Sequence, residues 1–374
     1  MSKQAIREES VIIEGEPVDV VSREQDVFYN KDMVSNRTMT VKVLQALGKK
    51  GMNVALPMAG TGVRAVRLLK ELDKDAITII KANDLKEEAT RQIHENVRRN
   101  EVDADKIIIT TKDCNEFFQG EKGFDYIDID PFGSPNIVLN EAIMHARDGA
   151  IVAMTATDTA ALAGTYPQAC KQKYCAVSSL IPQQHEMGLR ILTRKAIMTG
   201  MQYAKRLEPI ITYHHKHYYR IFFKVHKGKS EATLAYEHIN SYFKHCPGCG
   251  YHQTSKNPET KCPHCTAEMK VAGPLFDGKL NDTTIVKKVQ EVLDENDNEN
   301  HTIISEIIEQ ETVDAVGFYD THQLSKAKKV KAVKVSELIE KLHEKGWLAV
   351  RPRKVRTGVK TDARYDAIAE LLRK

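Results

Sequence analysis

Residues 126–135 read Tyr126-Ile127-Asp128-Ile129-Asp130-Pro131-Phe132-Gly133-Ser134-Pro135. From Tyr126 to Asp130, apolar and acidic side chains alternate with the period of two that marks a β-strand. Pro131 then fixes φ and removes a backbone donor, so the ladder ends there. Asp130 therefore sits at the carboxyl end of a strand. In an open α/β sheet that edge is where ligands bind. An acid followed at once by proline and an aromatic is thus a candidate site, set against the alternative of an ordinary loop with a buried Phe.

Upstream the pattern runs strand, loop, helix, strand, helix. Asn53 to Leu56 is apolar, Pro57-Met58-Ala59-Gly60-Thr61-Gly62 is a turn of small residues, and Val63 to Leu72 has helical spacing. Ala59, Gly60 and Gly62 let the backbone approach a ligand closely, and the helix amino terminus behind them offers free N–H groups. The next strand, Ile77 to Ala82, ends in Asn83-Asp84. That is roughly 20 residues after the turn, where an acid accepts hydrogen bonds from the ribose of a nucleoside cofactor. A helix from Lys86 to Asn100 leads to a strand at Ile107 to Thr111, which ends in Lys112-Asp113-Cys114-Asn115, a place for an adenine ring. One acid at a strand end is commonly a cap or turn former. Asp84, Asp113 and Asp130 after successive strands converge on one sheet edge and predict a nucleoside-cofactor site.

Downstream, a helix from Asn136 to Ala146 and a strand from Ala150 to Ala156 continue the alternation. Gln183 to Leu207 reads as helix, and Ile210 to Tyr213 with Tyr218 to Val225 as paired strands completing the sheet. His214, His215 and His217 between those strands lack neighbouring Cys or carboxylate ligands, and fit a polar hairpin connection better than a metal site. At the amino terminus, residues 5–13 and 18–21 flank Glu14-Gly15-Glu16-Pro17 and predict a small hairpin. Val27-Phe28-Tyr29-Asn30 follows, and then a helix that starts near Asn36 or Thr38 and runs to Leu47, ended by Gly48.

The chain has 374 residues, enough for two or three domains, and 55 basic against 51 acidic residues leave a net charge of +4, so nucleic-acid binding would need local basic clusters. No apolar run approaches the ~20 residues that span a bilayer, and the amino terminus has no signal-peptide core. A soluble, cytoplasmic, monomeric protein is expected. Four of the seven cysteines crowd into Cys246-Pro247-Gly248-Cys249 and Cys262-Pro263-His264-Cys265. Two Cys-x-x-Cys knuckles supply a closed tetrahedral Zn²⁺ shell, so the metal is expected to be structural; a redox pair would stand singly beside a thioredoxin-like βαβ pattern. Residues 292–300 read as a loop, with helices at Thr302 to Gln310 and Val335 to Lys345. Lys326, Lys328, Lys329, Lys331 and Lys334 precede the second helix, and Arg351, Arg353, Lys354, Arg356 and Lys360 follow Trp347-Leu348-Ala349-Val350. Helices followed by a basic strand-turn-strand fit a winged-helix module with a phosphate-contacting face, against the plainer reading of a solvated charge run.

Taken together, Phe28-Tyr29-Asn30 with Asn36-Arg37, Thr61-Gly62-Val63-Arg64-Ala65-Val66-Arg67, Asp128 through Pro135, the four cysteines, and Tyr319-Asp320-Thr321-His322 through Gly358-Val359-Lys360-Thr361 resemble the tRNA guanine-26 N2-dimethyltransferases of archaea and eukaryotes. The resemblance covers nearly the whole chain. It implies an α/β, Rossmann-like class I methyltransferase domain over residues 1–235 that binds S-adenosylmethionine. An α+β carboxy-terminal tRNA-binding domain over 236–374 would follow, carrying the zinc ribbon and the winged-helix-like module. It also implies Arg37, Arg64 and Arg67 in the cofactor set, with Arg37 and Arg67 at the methionine end. The catalytic set is then Asp130 and Pro131 as acceptors for the guanine amine, with Phe132 or Phe28 stacking on the base. Where that family usually carries an Asp at the end of the first strand, this chain has Ala55-Leu56, and Lys31 stands where a Pro usually follows Asn30. Two other functions remain in view from the residues alone: an adenine-N6 methyltransferase of DNA or RNA, and a non-catalytic tRNA-binding protein.

Overall fold

The computed structural model describes residues 4–17, 28–257, 259–352 and 354–372. The chain opens with an antiparallel hairpin of β1 (Gln4–Glu8) and β2 (Val11–Pro17), to which β3 (Phe28–Tyr29) adds in parallel. A hairpin is present but not the expected one: it pairs β1 with β2 through a turn at Glu9-Ser10, and Glu14-Pro17, where the turn was expected, lie within β2. The physical reason is burial: pairing Glu8 with Val11 turns Val11 and Ile13 into the core, while Asn100 accepts from the Ile12 amide at 2.8 Å and donates to its carbonyl at 2.6 Å. Residues 18–21 lie outside the described residues. Helix α1 (Val34–Leu47) starts earlier than expected, because a 3₁₀ turn at Lys31–Met33, capped by the Asn30 side chain, leads into it. Asn36 and Thr38 are therefore helical and buried, and Gly48 ends the helix in the left-handed conformation at φ 59°.

The predicted alternation follows: β4 (Met52–Leu56), α2 (Val63–Glu71), β5 (Ile77–Asp84), α3 (Glu87–Arg99), β6 (Ile107–Thr111), β7 (Phe124–Ile129), α4 (Leu139–His145) and β8 (Ala146–Ala156). Short helices α5 (Thr159–Leu162) and α6 (Pro167–Tyr174) then lead to α7 (Gln184–Gln202) and the long hairpin of β9 (Lys205–His215) and β10 (Tyr218–Lys227). The sheet order is β6-β5-β4-β7-β8-β10-β9; the first five strands are parallel, and β10 is antiparallel to both neighbours. The chain reverses its direction of travel across the sheet between β4 and β7, which opens a crevice at their carboxyl ends. Both faces are covered, so the central strands read as apolar on both sides. Val152 and Met154 of β8 pack with α4, α5 and α7, while Ile151 and Ala153 pack with α1, α2 and α3.

After α8 (Lys229–Leu234), strands β11 (Ser241–His245), β12 (His252–Ser255) and β13 (Lys270–Leu275) make an antiparallel sheet ordered β12-β11-β13. Helix α9 (Thr283–Glu291), which the sequence reading left out, and α10 (Asn298–Gln310), which begins inside the expected loop, pack on α1 through Val286, Val289, Ile303 and Ile304. Phe243, Ala272 and Leu275 join the core on the other face of the large sheet, so packing runs across residue 235. The last part holds β14 (Tyr319–Asp320), α11 (Thr321–Lys328), α12 (Val335–Glu344), β15 (Ala349–Val350), β16 (Gly358–Thr361) and α13 (Tyr365–Leu371). Its antiparallel sheet is ordered β14-β16-β15, and it shares a separate core with Cys246, Cys249 and Cys262. Among the described residues, no helix is long and apolar enough to cross a membrane.

Candidate active site

A cavity of about 670 Å³ occupies the crevice at the carboxyl ends of β4, β5 and β7, within the usual range for a small-molecule site. The loop from Pro57 to Thr61 forms one wall, with Gly60 at φ +54°, a conformation that a side chain disfavours. Its amide donates to Asp84 Oδ2 at 2.9 Å, while Asp84 Oδ1 accepts from the Lys86 amide at 3.2 Å. Gly62 does not line the cavity. It begins α2 at φ +73°, and a Cβ there would meet Ile93 Cγ2 at 2.8 Å, so its smallness lets α2 close on α3. Of Ala55-Leu56, where the family pattern carries an acid, Leu56 lines the wall and Ala55 is buried in the core.

Asn83, fully buried, was not singled out in the sequence, and it fixes this rim. Its amide donates to the carbonyls of Pro57 (3.1 Å) and Lys112 (2.9 Å), and its oxygen accepts from Thr110 Oγ1 (2.8 Å) and the Lys112 amide (3.1 Å). One side chain thus joins the loop ends that carry Gly60, Asp84 and Asp113. Asp113 and Cys114 line the far wall. The backbone N–H of Asn115, 2.8 Å from Asp113 Oδ1, is the main cause holding that carboxyl below its ordinary range. Burial, aided by the Asp113 charge, pushes the Cys114 thiol up, so the wall there is an uncharged thiol.

Asp130 lies across the cavity from these groups, with its side chain 23% exposed. Arg64 Nη2 donates to its Oδ2 at 2.5 Å, and also meets Asn36 Oδ1 at 3.1 Å, while Arg64 Nη1 donates to Thr40 Oγ1 at 2.7 Å and lies 3.2 Å from Asp128. Arg64 lines the cavity, but its guanidinium is held by Asp130 and its neighbours. Burial alone would raise the Asp128 carboxyl; the adjacent Arg220 and Arg64 outweigh it and hold the group below its ordinary range. The turn after Asp130 is rigid: the Gly133 amide donates to Thr157 Oγ1 at 2.7 Å and its carbonyl accepts from the Thr157 amide at 2.9 Å. Tyr174 Oη lies 3.0 Å from Ser134 Oγ and donates to Asp158 at 2.8 Å. Pro131 and Phe132 line the cavity, Pro131 buried and Phe132 42% exposed.

The remaining arginines part company. Arg37 lines the cavity, yet it donates to Glu8 at 2.5–3.1 Å and to the Asn30 carbonyl at 3.1 Å. Arg67 is 1% exposed and does not line the cavity; it is held by Glu8 (2.9 Å), Thr38 (2.9 Å) and Glu71 (2.7 and 3.0 Å). The structure thus places Arg67 behind the site, tying the amino-terminal hairpin to α2. Phe28 lies on β3 beside Tyr29, which lines the cavity; the Phe28 side chain is outside the described residues. His217 reaches the cavity mouth, His215 pairs with Glu299 at 2.7 Å, and His214 stacks on His185 at 3.9 Å between ring centres. Among the described residues the four cysteines are the single cluster able to hold a metal.

Cys246, Cys249, Cys262 and Cys265 bring their sulfurs within 4.8 Å of one another, and none is in a disulfide. Tetrahedral Zn–S bonds of about 2.3 Å imply S···S edges near 3.8 Å, so the donor set fits Zn²⁺. Each knuckle is closed by a backbone bond, Gly250 N to Cys246 O at 3.0 Å and Thr266 N to Cys262 O at 2.9 Å.

Residues 4–373 match the family described as N2,N2-dimethylguanosine tRNA methyltransferase. The chain is 34% identical over 332 residues to a tRNA (guanine(26)-N(2)/guanine(27)-N(2))-dimethyltransferase of Aquifex aeolicus, covering 86% of this chain and 84% of that protein. It is 32% identical over 367 residues to a tRNA (guanine(26)-N(2))-dimethyltransferase of Methanobrevibacter smithii, covering 95% and 93%. Trm1 from Pyrococcus horikoshii, solved in complex with S-adenosyl-L-methionine, superposes with a TM-score of 0.84 at 28% identity, covering 98% of this chain and 99% of that one.

Proposed function

The chain belongs to the N2,N2-dimethylguanosine tRNA methyltransferase family, and on that premise we propose that it transfers one or two methyl groups from S-adenosyl-L-methionine to the exocyclic N2 of guanine 26 in tRNA. The observation that carries this reading is the placement of Asp130, half-sheltered and held by Arg64, across one cavity from Asp84, Asp113 and Cys114. The residues present fit the cofactor. Asp84 has two of its four lone-pair positions taken by the Gly60 and Lys86 amides, which leaves two for the ribose hydroxyls. Asp113 and Cys114 would flank the adenine, and the wall near Arg37 would take the methionine end. When bound, the cofactor supplies a methyl already activated on a sulfonium.

The chain's own task is then orientation. An amine conjugated to a purine is a poor nucleophile because its lone pair is delocalised into the ring. Asp130 and the Pro131 carbonyl accept hydrogen bonds from the two N2 hydrogens, aim the nitrogen in line with the methyl, and favour pyramidalisation as the lone pair attacks. The nitrogen gains the methyl and releases a proton. One hydrogen remains after a first transfer, so the same acceptors can serve a second. In-line attack on a stacked, paired base is blocked, so the base must leave the helix. Phe132, or Phe28, offers a face that offsets part of the lost stacking, about 1–3 kcal/mol per base.

The carboxy-terminal part is read as tRNA-binding. The first helix expected for the winged-helix module, now α10, packs on α1 instead, so the reading rests on α11 and α12 followed by β15 and β16, with Lys326, Lys328, Lys329, Lys331, Lys334, Arg351, Lys354 and Arg356 as phosphate contacts; Lys360 is buried, and Arg353 lies outside the described residues. The four cysteines would hold a structural Zn²⁺ in a ribbon that carries this module. The division at residue 235 is then one of task, since the core runs across it. Action as a monomer is part of the proposal, and a tRNA substrate supports a cytoplasmic setting. Nucleoside analysis by mass spectrometry of tRNA transcripts incubated with enzyme and cofactor tests the proposal. N2-methylguanosine or N2,N2-dimethylguanosine should form with guanine at position 26 and be lost with adenine there; methyladenosine would overturn the reading.

A further inference from the structure

Behind Asp130 and Arg64 lie two further buried charges, Arg220 and Asp128, that have no part in the proposed function. Arg220, from the antiparallel strand β10, is 0% exposed and does not line the cavity. It donates to both oxygens of Asp128, at 2.9 and 2.7 Å, and to Thr40 Oγ1 at 2.8 Å. Arg64 donates to the same Thr40 hydroxyl, lies against Asp128, and alone of the two arginines reaches Asp130. The Tyr126 hydroxyl also donates to Asp128, and Thr40 donates to the Asn36 carbonyl at 3.1 Å. Two carboxylates thus balance two guanidiniums, and Asp130 is the member of the four that reaches solvent appreciably.

Stability is a poor explanation for this arrangement. A buried ion network is often no more stabilising than well-packed apolar residues of the same volume. What it does supply is direction: Arg220 on β10 and Asp128 on β7, the two strands that flank β8, meet across it, fix one edge of the Arg64 fork, and leave the other edge aimed at Asp130. A misplacement of about 1 Å at a reacting group costs on the order of 100-fold in rate. We propose that Arg220 and Asp128 are positioning residues for methyl transfer, holding the Arg64 guanidinium so that it fixes the Asp130 carboxylate towards the substrate amine. This rests on the role given to Asp130 above.

The test is a double-mutant cycle read by single-turnover rates, which reach the residual activity of slow variants. Arg220→Lys keeps the charge but loses the planar fork. It should lower the rate of transfer by about 10- to 100-fold, with affinities for S-adenosylmethionine and tRNA within about twofold of wild type, a split that general loosening of the fold would not give. In an Asp130→Ala background the same change should be nearly silent, because nothing is left to position. Thr40→Val, which removes the hydroxyl that both guanidiniums share, should lower the rate in the same direction and be silent in the same background, and it serves if Arg220→Lys does not fold. A folded Arg220→Lys or Thr40→Val enzyme with wild-type rate, or with the same fold loss whether or not Asp130 is present, overturns the inference. An Asp130→Ala enzyme with wild-type rate overturns the prior reading of Asp130 and the inference with it.

Discussion

Replacing Asp84 by Ala should separate cofactor binding from every other property of the protein. The carboxylate does two things at once: its Oδ2 holds the Gly60 amide at 2.9 Å, and its free lone pairs face the cavity. Each hydrogen bond to a charged acceptor contributes about 1.5–3 kcal/mol, but the group is partly exposed and water replaces some of what is lost. A net loss of about 2–3 kcal/mol is therefore expected, or roughly 30- to 150-fold weaker binding of S-adenosylmethionine. Asp84→Asn keeps the shape and one acceptor, and should fall between the two. Isothermal titration of the apo protein with S-adenosylmethionine measures this directly. The melting temperature should change little, since the Asn83 side chain still ties the loop ends together. Unchanged affinity in Asp84→Ala would refute the assignment of this edge of the cavity to the ribose.

Purified protein should contain about one zinc per chain, and Cys262→Ser should lower the melting temperature and weaken tRNA binding while leaving cofactor affinity unchanged, because the cysteines share their core with the carboxy-terminal module and not with the cavity; elemental analysis with calorimetry checks both. Stability should also carry an acid limb from Glu8. Burial acts to raise that carboxyl, but Arg37 with further hydrogen bonds more than offsets it, and the folded-state pKa falls below 4.5. The unfolded chain then binds the proton first, so this contribution is present above about pH 4.5 and is lost as pH falls through the folded value. Melting temperature against pH should fall less steeply on that limb in Glu8→Gln than in wild type, and equal slopes would contradict it.

Much of this site was legible because it is local in sequence. The strand into Asp130, the loop at Gly60 and the acids at 84 and 113 each announce themselves within a few residues, and topology alone brings them to one edge. The arginines were not legible in that way. Arg64 and Arg67 are three residues apart on α2, so nothing in the motif says that one turns to Asp130 and the other to Glu8; that depends on partners 66 and 59 positions away. Arg220 has its partner Asp128 92 residues distant, and in sequence it is one more residue in a β-strand. Helix α9 was missed because Thr283-Thr284-Ile285-Val286 is β-branched and favours strands. Its stop signals are weak, and what makes it helical is the Asp282 cap and the burial of Val286 and Val289 against α1. The amino-terminal turn was misplaced for a related reason. Gly15 and Pro17 look like punctuation, whereas Glu9 adopts the left-handed conformation at φ 48° because the burial of Val11 and Ile13 demands that register.

The claim on which the account depends is that Asp130 acts on the substrate amine in the transition state and on nothing else. Asp130 is bonded to Arg64, whereas Asp84 is bonded to the Gly60 amide, so the two carboxylates have separate partners and their losses can be told apart. The direct measurement is the single-turnover rate of Asp130→Ala on a tRNA carrying guanine 26, alongside its affinities for tRNA and for S-adenosylmethionine. The rate should fall by about 100-fold or more while both affinities stay near wild type, as expected for an interaction made mainly in the transition state. A near-normal rate, or a loss of cofactor affinity as large as the loss of rate, would contradict it.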